Sequence, residues 1–183
     1  MKILTYLMFI PFLSVGLCGG DDDECEGGRV NYIQNNSLVT VQANSNHFGV
    51  GDTLWINTIV NKNQFDITSN SEVNLFDIDK ELSLGISYER ASAYEQYFQI
   101  NLNEDAVVSD KGQVIINNFI LVQEGNNFVN RSGIKLLEAG NFRITDYDIN
   151  SYKIDGRCSD PRSNIGTTIS NANNGEFYEF SVE

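Results

Sequence analysis

Carboxylates are the most abundant chemistry-bearing side chains in this sequence. Its 183 residues hold 25 Asp and Glu against 12 Lys and Arg, a net charge of −13. Two acidic runs have the spacing for a shared task. Asp77, Asp79 and Glu81 stand at i, i+2 and i+4, so an extended backbone would point all three the same way. That makes them weak candidates for a bound cation such as Ca²⁺, with a solvated turn around Asp79-Lys80-Glu81 as the plainer reading. Asp146 and Asp148 form a second pair of the same kind. Hydrolysis of a polysaccharide also uses two placed carboxylates, but so acidic a chain singles out no pair.

Nucleophilic chemistry has little to work with. His47 is the one histidine, and no G-x-S-x-G accompanies it, so the sequence gives no catalytic residue. There is no P-loop, no G-x-G-x-x-G and no C-x-x-C. These absences remove nucleotide, dinucleotide and thioredoxin-like readings, and no cofactor is implied. The charge argues against nucleic acid, whose phosphates need clustered Lys and Arg. Tyr88, Tyr94, Tyr97, Tyr147, Tyr152 and Tyr178 offer aromatic faces with polar tips, which suit a protein or glycan partner, although tyrosine also fills strands for its β-propensity.

The elements that carry these residues read as strands. Leu54, Ile56, Thr58 and Val60 alternate with Trp55, Asn57 and Ile59; Leu82, Leu84, Ile86 and Tyr88 alternate with Ser83, Gly85 and Ser87. Further runs cover Phe98–Leu102, Val114–Val122 with a bulge at Asn117-Asn118, Phe142–Ile144, and Tyr178–Val182. Asn- and Gly-rich turns separate them at short intervals. The best helical segment is Glu89–Gln96. Trp55 is expected to anchor the core. The class is all-β, one sandwich or barrel over residues 29–183.

The first 17 residues, MKILTYLMFIPFLSVGL, have the form of a secretory signal: Lys2, a short apolar middle, small residues near the end. Ser14-Val15-Gly16-Leu17-Cys18 resembles the lipobox of bacterial lipoproteins, in which the cysteine is lipidated. The next residues, GGDDDE, resemble the acidic export signal of surface lipoproteins in the Bacteroidota. This resemblance implies a lipid at Cys18, a tether over residues 18–28, and a membrane as partner at the outer membrane or cell surface. Ordinary cleavage after Gly16, with a secreted or periplasmic product, remains open. With Cys18 lipidated, Cys25 and Cys158 are left as an even pair. A bridge between them would close a long loop, worth on the order of 4–5 kcal/mol; two free thiols, or a local Cys18–Cys25 bridge, are the alternatives.

His47 to Ile56, HFGVGDTLWI, is similar to a strand entry found in exported immunoglobulin-like domains of the Bacteroidota. It implies an immunoglobulin-like sandwich. The functional expectation is a non-catalytic binding or structural module on the cell surface. Two alternatives stand beside it: a small extracellular hydrolase acting through paired carboxylates, and a calcium-stabilised adhesin domain.

Overall fold

The structure, a computed structural model, describes residues 28–153 and 160–183. The first seven strands are β1 (Val30–Gln34), β2 (Val39–Gln42), β3 (His47–Phe48), β4 (Thr53–Asn61), β5 (Asn63–Asp66), β6 (Ser71–Asn74) and β7 (Glu81–Ala91). The next eight are β8 (Tyr97–Gln99), β9 (Val107–Lys111), β10 (Gln113–Ile115), β11 (Asn118–Glu124), β12 (Asn127–Lys135), β13 (Gly140–Ser151), β14 (Arg162–Gly166) and β15 (Tyr178–Val182). Leu75–Asp77 and Glu104–Ala106 are short 3-10 turns, and the described residues hold no α-helix. No helix among them is long and apolar enough to cross a membrane.

The fold is all-β and made from one curled sheet. Its hydrogen-bonded order is β1-β14-β13-β7-β11-β12-β4-β2, and β5-β6 form a separate hairpin. The two ends of this path are joined through the segment after β14. β14 runs parallel to β1 as far as Gly166, and Ile169 then bridges Val39 of β2. The Ser170 amide donates to the Val39 carbonyl at 2.9 Å. The Asn171 side chain accepts from the Val41 amide at 3.0 Å and donates to the Val41 carbonyl at 2.8 Å. A side-chain amide here does what a paired strand residue does elsewhere, and the sheet closes around one core.

Alternation fills that core. Leu54, Ile56 and Val60 of β4, Leu82, Leu84 and Ile86 of β7, and Phe119 and Leu121 of β11 are fully buried. They pack in one cluster with Phe128, Phe142 and Ile144. β5 covers the outer edge of β1. The buried Asp66 carboxylate accepts from the Tyr32 and Thr68 amides, the Ser69 hydroxyl and Arg29.

Three local expectations are corrected. Glu89–Gln96 is no helix: Glu89 and Arg90 stay in β7, paired with Arg143 and Phe142 of β13. The chain then reverses at Ser92–Gln96 into β8, with Glu95 at φ 61°. Cross-strand pairing overrides a weak helix preference. The long strand over 114–122 is a hairpin, β10 and β11, turned at Ile116 (φ 56°) and Asn117. Asn117 is not a bulge but a pin, accepting from the Leu102 amide at 2.8 Å and donating to the Ile100 carbonyl at 3.1 Å. Trp55 does not anchor the core. The parity that buries Leu54 and Ile56 turns Trp55 outward, opposite Gly133 of β12. There the Arg131 guanidinium stacks on its ring, 4.2 Å from the centroid.

Candidate functional site

β13 is the strand around which the candidate site is built. Its first half, Gly140–Ile144, pairs with β15, while Ile149 and Asn150 pair with β14. β7 backs both halves. Between them the register slips. Asp146 lies opposite Ile86 and Ile149 opposite Leu84, so Tyr147 and Asp148 together face the single residue Gly85. This is a β-bulge, which re-aims side chains and ends regular pairing. Phe142 and Ile144 point inward, and their parity carries Asp146 to the core side before the extra residue returns Ile149 to it.

A polar cleft of about 480 Å³ opens where β14 and β15 part over this bulge. Asp146, Tyr147 and Asp148 of the bulge line it, with Asn164 of β14, Thr167 just after β14, and Glu176 of the turn before β15. The Asp146 Oδ1 accepts from the Ile169 amide at 3.0 Å, which ties the bulge to the segment that closes the sheet. Its Oδ2 is buried and has no hydrogen-bond partner. Burial, and then the neighbouring Asp148 and Glu176 charges, push Asp146 up to about 6, against the pull of the Ile169 amide. The buried Thr167 hydroxyl is likewise without a partner. Asp148 is held by the Asn164 amide at 3.2 Å, which also donates to Asn150 Oδ1 at 2.9 Å. Tyr147 is 56 % exposed, its ring lying against Gly85.

Chemically the cleft offers acceptors, one buried hydroxyl and an aromatic face. No family model matches the chain, and no curated protein matches it. Among solved structures it is similar to the crystal structure of the CupB6 tip adhesin from Pseudomonas aeruginosa, at 11% identity and a TM-score of 0.27. That match covers 86% of this chain and 42% of the adhesin structure, so the chain spans less than half its length.

The other predicted residues are placed elsewhere. Asp77, Asp79 and Glu81 do not share an extended face, because the 3-10 turn at Leu75–Asp77 interrupts the strand before β7. Asp77 is exposed and Glu81 half-buried, while Asp79 is buried and accepts from the Ser163 hydroxyl at 2.7 Å. Burial raises the Asp79 carboxyl, and the Ser151 and Ser163 hydroxyls and Lys153 oppose that rise. Among the described residues no three His, Cys, Asp or Glu gather as metal ligands. His47 is exposed, its Nδ1 2.7 Å from the Ser181 hydroxyl, a contact set by their register in β3 and β15. Cys18, Cys25 and Cys158 lie outside the described residues.

Of the acidic candidates, then, Asp146 and Asp148 are brought together in a cavity. Thr167, Asn164 and Glu176 escaped sequence reasoning because they arrive from distant elements. One local signal did exist: Ile144 and Ile149 are five apart, which breaks period two and marks the bulge.

Proposed function

We propose that the chain is a non-catalytic binding module, held at the cell surface by a lipid on Cys18 and engaging its partner through the cleft over the β13 bulge. The observation that carries the binding reading is the pair of unpartnered buried polar atoms, Asp146 Oδ2 and Thr167 Oγ1, in residues that line one open cleft. Buried polar groups are normally satisfied, so orphans beside a cavity mark where a ligand's polar groups belong. The exposed Tyr147 ring supplies an apolar face beside them. The acidic run after Cys18 supports display at a distance from the membrane.

Two measurements test this. Full-length protein probed against glycan and peptide arrays is expected to bind a defined set, and to lose it when Tyr147 and Asp148 are replaced by alanine. Equal binding by that variant overturns the cleft as the contact surface. Cys18→Ser is expected to move the protein out of the membrane fraction; continued membrane retention overturns the anchor.

One observation favours a second reading. A carboxyl held near 6 beside another carboxylate suits general acid–base work on a glycosidic bond. Release of reducing ends from polysaccharide, abolished by Asp146→Asn, would replace the binding reading with hydrolysis.

A further inference from the structure

We infer that the cleft over the β13 bulge receives the head of an organic cation, an alkylammonium or guanidinium group, with Asp146 as its counter-ion. This deepens the proposed binding role and rests on it.

The first support is charge. Asp146, Asp148 and Glu176 all line the cleft, and no lysine or arginine does. Acids lining a concave, low-dielectric wall focus a negative field that attracts a cation. The Asp148 and Glu176 charges already work against ionisation of Asp146, and an arriving cation would reverse that effect.

The second support is independent of the acids. Thr167 is 8 % exposed, lines the same cleft, and its hydroxyl oxygen has no partner. Such a hydroxyl can accept as well as donate. The Asp146 Oδ2 can only accept once ionised. Both orphans therefore fit a ligand rich in donors. An ammonium carries three N–H donors and a guanidinium five, and neither carries an acceptor. Either head carries enough donors for both atoms and for Asp148.

Other ligands fit less well. A neutral sugar hydroxyl would satisfy an orphan and leave the carboxylate repulsion in place. Calcium takes six to eight oxygens at about 2.3–2.6 Å, and no three carboxylates converge so among the described residues. Tyr147 adds to the choice, because a cation over a phenol ring gains attraction that a neutral group does not.

The same head could come from a basic side chain of a protein partner or from a free amine. The test uses isotope-labelled full-length protein, titrated at pH 7.5 and monitored by amide chemical shifts. The side-chain probes are the blocked lysine and arginine amides; the free-amine probes are cadaverine and agmatine. Methyl glucoside and calcium chloride complete the set. Cation probes are expected to shift Asp146–Asp148 and Thr167, and the pair that binds tighter names the source. Asp146→Asn and Thr167→Val are each expected to weaken binding by about tenfold or more, while Glu72→Gln, on the separate β5-β6 hairpin, leaves it unchanged. Unchanged affinity in Asp146→Asn overturns the inference. So does a cation response spread evenly over surface acids. Cleft shifts with methyl glucoside or calcium alone overturn it too, while sparing the broader binding reading, which the array experiment decides separately.

Discussion

The Tyr147 ring lies so close over Gly85 that a Cβ at position 85 would stand 3.0 Å from its Cδ2 and 3.4 Å from its Cβ. A glycine in a central strand is the condition for the ring's position on the cleft wall. Gly85→Ala is expected to fold, because the contact is with a side chain that can swing away, and to displace Tyr147. Tyr147 resonances should shift and ligand affinity fall in Gly85→Ala, with the melting temperature moving by only a few degrees. Unchanged Tyr147 signals would show that the ring does not depend on this glycine.

Asp146 predicts an inverted pH dependence. Its folded value near 6 lies above the ordinary 3.8, so the folded state binds a proton that the unfolded chain has released. The stability it contributes is fully present below 3.8 and is lost as pH rises through 6. Asp146→Asn is therefore expected to be more stable than the parent at pH 7.5 and close to it at pH 4. Urea titrations at the two pH values measure this. A variant less stable at pH 7.5 contradicts it.

Asp66 has the opposite sign. The Ser69 hydroxyl leads the groups that hold it down to about 2, with the Thr68 and Tyr32 amides and Arg29 adding to it against the cost of burial. Its stabilisation is present above 3.8 and disappears as pH falls from there toward 2. Asp66→Asn should lower the melting temperature clearly at pH 6, and the gap to the parent should narrow below pH 3.

Asn130 is fully buried in β12, where its amide donates to the Ile120 carbonyl at 2.9 Å and the Gln113 carbonyl at 3.2 Å. It also accepts from the Ser132 hydroxyl at 2.8 Å. Asn130→Ala removes these bonds from a buried site and is expected to cost about 2–3 kcal/mol in denaturant unfolding. A loss below about 0.5 kcal/mol would mean that other groups replace its bonds.

Closure of the sheet through Asn171 is testable by hydrogen exchange. Asn171→Ala should speed exchange at the Val41 amide far more than at Ile56 in the neighbouring β4, and lower stability by about 1–2 kcal/mol.

Legibility in the sequence tracks burial. β4, β15 and the first half of β7, as far as Ile86, are plain because alternate residues there face the core. β1 and β2 are too short and too polar to stand out, and Asn31 is buried by pairing rather than by hydrophobicity. β12 is obscured because Asn130 and Ser132 occupy buried positions as a hydrogen-bonded pair. The cleft obeys the same logic. Asp146 and Asp148 are visible as neighbours, but nothing in their spacing tells them apart from other acids. What distinguishes them is the parting of β14 from β15, a property of strand pairing that no local run of residues encodes.

The parallel pairing of β1 with β14 has a mechanical consequence. The chain enters β1 from residue 29, at the Val30 end, and the cleft residue Thr167 comes just after the Gly166 end of β14. If the molecule is pulled between its N-terminal side and a ligand seated in the cleft, the two strands are drawn in opposite directions along their common axis. The share of the load carried through Thr167 and β14 then falls in shear on all five register pairs, Val30–Arg162 through Gln34–Gly166, at once. A module gripping a partner under flow would resist detachment from its own fold collectively, with no pair free to unzip ahead of the next.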